Sequence, residues 1–194
     1  MNEIQAFVEL TGMLFTEPRS VVLLSMLVTA AVIDVRSHRI PNWLTLSGTV
    51  FGLGYSAFVP FYMHHGFLWS LGGWALGFGL LYPLWLMRIM GAGDVKLMAM
   101  VGSLLGVASI PTAILGSFIA GGVLAIVFSL RQRKTRAMLG NVARVLHQGS
   151  IAMVSGISPR LALSGWESVG KMPFGLAIAT GTIIPVVATQ FGLI

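Results

Sequence analysis

Only two aspartates occur among the 194 residues, Asp34 and Asp94, and each stands at the edge of a long uncharged run. Asp94 lies in the stretch Gly91-Ala-Gly93-Asp94-Val-Lys96, directly behind two glycines. Two carboxyls that share a site cannot both ionise easily, so the pair holds one proton. One acid can then take a proton from water while the other protonates a carbonyl oxygen, the aspartic-protease arrangement. Such chemistry needs no metal, serine or thiol. The chain has no cysteine, which excludes thiolate zinc sites and a cysteine nucleophile. Its four histidines, His38, His64, His65 and His147, are too scattered to suggest a metal cluster. No cofactor is expected.

The elements that must position these acids are membrane helices. Hydrophobic residues make up 56% of the chain and charged residues 9%, against about 25% charged in a soluble domain. Between Arg39 and Arg88 lie 48 residues without a charge, and between Lys96 and Arg131 lie 34 more. A spanning helix takes roughly 17 to 25 residues, so each of these runs folds as a helical hairpin. The expected fold is all-α, a polytopic bundle of about six spans near 18–35, 43–60, 66–87, 95–110, 112–130 and 173–192. The first span is the weakest, with 14 uncharged residues between Arg19 and Asp34. It is rescued if Arg19 snorkels to headgroups and Asp34 faces a wet cavity.

Alternating six spans puts eleven of the twelve basic residues on one side and Arg19 alone on the other. The positive-inside rule then places the N-terminus outside and the basic face in the cytoplasm. The net charge of +6 reads as topology and contact with anionic lipid, and no nucleic-acid partner is expected. Residues 1–17 are expected to hold an interfacial helix, with its apolar face in 3–15. Residues 18–194 form a single membrane domain, with a basic amphipathic cytoplasmic loop at 131–171 whose segment 135–148 suits a helix on the inner leaflet.

Topology turns the separate aspartates into a candidate pair. Span one ends, and span four begins, at the cytoplasmic side, so neighbouring spans would set both carboxyls at one depth. Gly91 and Gly93 give a turn that brings an acid against an extended substrate backbone. Plainer readings stand beside this one. Asp94 is equally placed to be the N-cap of the fourth span. Asp34 could pair with Arg36, Arg39 or Lys96 at the headgroups, and Lys96 is first a topology marker. Glycines within spans, such as Gly72-Gly73, Gly77, Gly116 and Gly121-Gly122, permit close helix packing.

Three stretches carry a resemblance. Residues 34–42 (DVRSHRIPN), 91–99 (GAGDVKLMA) and 171–181 (KMPFGLAIATG) resemble, in order, the signature regions of type IV prepilin peptidases, membrane aspartic proteases of the GxGD kind. The resemblance implies that Asp34 and Asp94 are the catalytic pair. It implies that Arg39, Pro41 and Asn42, with Ile40, shape the loop after the first catalytic helix. Gly91, Gly93 and Lys96 would belong to the second motif, and Pro173, Phe174 and Gly175 would border the site from the last helix. The implied substrate is a prepilin-like protein with a basic leader and an apolar N-terminal helix, cut at the cytoplasmic face of the bacterial inner membrane. Larger family members also methylate the new N-terminus through an early cysteine-bearing domain. Here seven residues, 36–42, link spans one and two, and cysteine is lacking. The match is therefore to the compact CpaA/TadV-like branch associated with Flp/Tad pili, without N-methyltransferase activity. A basic enzyme face repels a basic leader within about 10 Å, so recognition is expected to rest on the substrate's apolar helix. Two other readings remain. One is a small proton-coupled transporter using the same acids, which would favour an inverted repeat that the sequence lacks. The other is an intramembrane protease of the signal-peptide-peptidase or presenilin type, whose Pro-Ala-Leu motif differs from Pro173-Phe174-Gly175.

Overall fold

The computed structural model describes residues 18–58, 66–87, 89–131, 140 and 173–190. The interfacial helix expected at 3–15, the His64-His65 loop and, Gly140 apart, the amphipathic segment at 135–148 lie outside the described residues. Among the described residues there is no strand. Six helices run in order: α1 (Pro18–Ser37), α2 (Asn42–Phe58), α3 (Phe67–Leu86), α4 (Ala92–Leu105), α5 (Ile110–Arg131) and α6 (Phe174–Gln190), with a 3-10 turn at Val107–Ser109 before α5. The fold is an all-α membrane bundle. Among the described residues three stretches are long and apolar enough to cross a bilayer: Pro18–Ser37, Phe67–Leu86 and Val107–Arg131. The helices otherwise follow the expected spans closely.

The chain divides into two compact units, residues 1–121 with 173–194, and residues 122–172. The first holds the two aspartates. Within it α4 is the central helix, packed against α1, α2, α3 and α6. Every α4 residue from Val95 to Leu104 except Lys96 is buried. A helix surrounded by helices has no lipid face to fill, so its neighbours must approach closely, and glycine makes that possible. A Cβ placed on Gly73 of α3 would overlap the Gly102 carbonyl of α4 and lie 2.7 Å from Gly106 Cα. One on Gly77 would lie 2.6 Å from the Met98 carbonyl oxygen. From α2, Gly48 and Gly52 do the same against Met100 and Ser103. Gly116 and Gly181 bring α5 and α6 equally close. Gly122, by contrast, has nothing within 4 Å of its Cβ position, so it gives no packing contact.

One detail departs from expectation. The fourth span was expected to continue to residue 110. The helix ends instead at Leu105, because Gly106 adopts φ 76° and closes it with a backbone hydrogen bond to Gly102. Left-handed backbone there suits glycine alone, and the Trp69 ring fills the space a side chain would need. Pro111 then sits in the first turn of α5, where its missing N–H costs nothing. Arg19 sets its guanidinium 5.0 Å from the Tyr55 ring centroid and 5.4 Å from that of Trp69. These cation–π contacts join the starts of α1 and α3 to α2.

Gly102→Ala should therefore push α4 away from α3 and cost about 1–3 kcal/mol. Gly79→Ala, with nothing within 4 Å of its Cβ position, should be neutral or stabilising by about 0.5–1 kcal/mol. Thermal unfolding of the two variants in detergent checks this contrast.

Candidate active site

Asp34 lies in the last turn of α1, next to a backbone reversal. His38 follows with φ 50°, the one left-handed non-glycine among the described residues, and its amide bonds the Asp34 carbonyl at 2.8 Å. Pro41 cannot continue a helix that starts before it, and its carbonyl accepts the Leu44 amide at 3.2 Å to open α2. The Ser37 hydroxyl steadies this turn by donating to the Ile33 and Arg39 carbonyls at 2.8 and 3.1 Å. The link between α1 and α2 is thus a short, hydrogen-bonded corner.

The Asp34 side chain is only 5% exposed. A buried carboxylate needs donors. It finds one at the first turn of α6, where the Gly175 amide donates to Oδ2 at 2.7 Å. This is a helix N-terminal amide, which lacks a partner inside its own helix and attracts negative charge. Pro173, buried at the head of α6, has no side chain able to cap it. An acid from α1 therefore performs, across the bundle, the capping that α6 cannot do for itself. The absence of a side chain at Gly175 is a requirement: its Cβ would lie 2.9 Å from Asp34 Oδ2 and 3.1 Å from Asp34 Cβ.

Asp94 occupies the third position of α4, not the N-cap. The N-cap is Gly91, with extended φ −72° and ψ 146° and no side chain to offer. The Asp94 carboxyl instead lies back over the cap, its Oδ2 3.1 Å from the Cβ position of Gly91. An acid in the first turn faces the end of the helix where negative charge is favoured. So a helix-start role and an acid–base role are open to the same residue. Asp94 is half-buried, and its carboxyl feels the charge of Asp34. α1 and α4 pack directly against each other and both against α6, which brings the two acids to one end of the bundle.

The other expected residues fall around this pair. Lys96 Nζ donates to Asn42 Oδ1 at 2.8 Å, tying the start of α4 to the start of α2. Arg39 is exposed on the corner. Phe174 turns its ring toward α5, 6.1 Å from the Phe118 ring centroid and against the Cβ position of Gly121. One contributor carried no acid–base signal in the sequence: Ile40. It approaches both Gly93 and Gly175, its atoms lying 3.1 Å and 3.0 Å from the two glycine Cβ positions. Among the described residues no group of three or more His, Cys, Asp or Glu could hold a metal ion.

A model of the type IV leader peptidase family matches residues 21–126, more than half the chain. The chain belongs to the type IV leader peptidase family. No curated protein and no solved structure matches it. Membership makes the protein a peptidase, and its apolar helices make it an integral membrane one. The matched stretch contains both aspartates and the 38–42 corner but stops before Pro173. What links this leader peptidase's third segment to the other two is the Gly175–Asp34 hydrogen bond.

If Asp34 caps α6, then losing its acceptor should unsettle the helix. Asp34→Leu should cost about 1–3 kcal/mol, and Gly175→Ala should destabilise comparably by displacing the carboxyl. Asp34→Asn keeps a carbonyl oxygen for the amide and should melt near the wild-type temperature. Melting curves of the three variants in one detergent make the comparison.

Proposed function

We propose that this leader peptidase is an aspartic endopeptidase whose water-activating pair is Asp34 and Asp94. The observation that carries the reading is the convergence of the chain's only two aspartates at one end of the bundle, electrostatically coupled, with the head of α6 against them. One carboxyl takes a proton from water as the water oxygen attacks the scissile carbonyl. The other gives its proton to the carbonyl oxygen. When the resulting tetrahedral species collapses, the C–N bond breaks and the leaving nitrogen takes a proton from the dyad. Gly91 and Gly93 leave room beside Asp94 for an extended substrate backbone. No residue outside the pair is required to be ionised for this sequence.

The proposed substrate is a prepilin-like protein with a basic leader, cut where its apolar helix begins. Its helix would dock on the bundle from the membrane, and its leader would rest on anionic lipid. The proposed branch is the compact CpaA/TadV-like one, serving Flp/Tad pili and lacking N-methylation. Six crossings with the N-terminus outside place the acids at the cytoplasmic face of the inner membrane. Arg36 in the last turn of α1, Lys96 near the start of α4 and Arg131 in the last turn of α5 support that orientation.

Asp34→Asn and Asp94→Asn should each remain in the membrane yet lower leader removal at least ~10²-fold, read as a mobility shift of a co-expressed prepilin. Normal processing by either variant would sink the dyad. The orientation is tested separately. A reporter inserted between residues 131 and 171 should be active only as a cytoplasmic fusion, and one at the C-terminus only outside.

A further inference from the structure

We propose that Ile40 is a positioning residue that sets the separation of the two acids, acting as a wedge between the first turns of α4 and α6. The proposal rests on the Asp34–Asp94 reading but adds a residue that has no acid–base chemistry of its own.

Three contacts carry it. At one end of the side chain, Ile40 Cβ lies 3.1 Å from the Cβ position of Gly93, the residue that precedes Asp94. The Ile40 backbone reinforces this contact, with its N and O each 3.6 Å from the same point. At the other end, Ile40 Cδ1 lies 3.0 Å from the Cβ position of Gly175, whose amide holds Asp34. Asp34 Oδ2 lies 2.9 Å from that same position, so carboxylate and methyl flank one point beside Gly175. A single side chain therefore spans from the glycine next to one acid to the glycine that holds the other. Both glycines lack a side chain where Ile40 approaches, and either added methyl would meet it.

The corner fixes the wedge from behind. His38 turns the chain with its left-handed φ, Pro41 stiffens the exit, and the Asn42–Lys96 hydrogen bond closes the far side onto α4. β-Branched isoleucine is suited to this place because its χ1 is stiff, so the side chain keeps one direction from the backbone of the corner. A dyad that shares one proton and one water depends on spacing, and a displacement of 1 Å can cost about 10²-fold in rate.

The test uses the full chain in detergent micelles and a synthetic substrate carrying a basic leader, a glycine and an apolar helix. Ile40→Ala should lower kcat about 10²-fold while KM stays within about twofold. Ile40→Leu, which keeps the carbon count, should recover most of the loss. Ile40→Val, which removes Cδ1 alone, should fall between and serves as the readable variant should the alanine form fold poorly. In Ile40→Val/Gly175→Ala, losing Cδ1 removes one of the two groups that the new methyl meets, Asp34 being the other, so the two losses should combine to less than their product. An unchanged kcat in Ile40→Ala, a rise in KM alone, or strictly multiplicative losses in the double variant would each overturn the proposal. Asp34→Asn and Asp94→Asn run alongside. If they keep turnover, the dyad reading has failed; if they lose it while Ile40→Ala does not, only the wedge has failed.

Discussion

The carboxylate of Asp34 is taken out of water near the end of a membrane helix, and it must be given donors there or not be charged at all. The donor it meets is the Gly175 amide, one of the N–H groups left without an intrahelical partner at the start of α6. Each side of this contact solves the other's problem. The helix obtains the cap that Pro173 cannot supply, and the acid obtains a fixed dipole in place of water. Because the bond joins residues 141 positions apart, it also ties the two ends of the described chain together. The seating of the head of α6 against α1 and the requirement for glycine at residue 175 both follow from it.

A second constraint determines where α4 can be. α4 carries Asp94 and is buried on nearly all sides, so its neighbours must come within backbone distance. The glycines of α3 and α2 allow this, and the same close packing leaves Asp94 little freedom to shift. Asp94 itself lies back over Gly91 within its own first turn. One acid thus meets another helix and the other its own.

Several features were legible from residue order because they depend on local rules or on solvent. The helix ends follow from charge-free length, the Pro41 and Gly91 signals and the exclusion of charge from lipid. Gly73, Gly77 and Gly116 announced close packing for the same reason, since an apolar helix has little other use for them. The α4 terminus was misplaced by a few residues because Gly106 looks like any other membrane glycine until Trp69 is seen filling its missing side chain. Asp94 was weighed as an N-cap when it is the third residue of the helix. A Gly-x-Gly-Asp stretch permits either register, and only the backbone angles at Gly91 choose.

The sequence by itself determined that the chain is a helical membrane protein with an acid at the edge of each of two apolar segments. Those statements rest on water, lipid and local backbone sterics, which act on residue types alone. Which helices neighbour which was decided only in three dimensions. So was the choice of α6's amide, in place of a nearby arginine or lysine, as the partner of Asp34. Ile40 shows the reason most plainly. Its apolar side chain carries no signal of chemistry, and its importance arises from touching two glycines, at residues 93 and 175, that the chain keeps far apart until it folds.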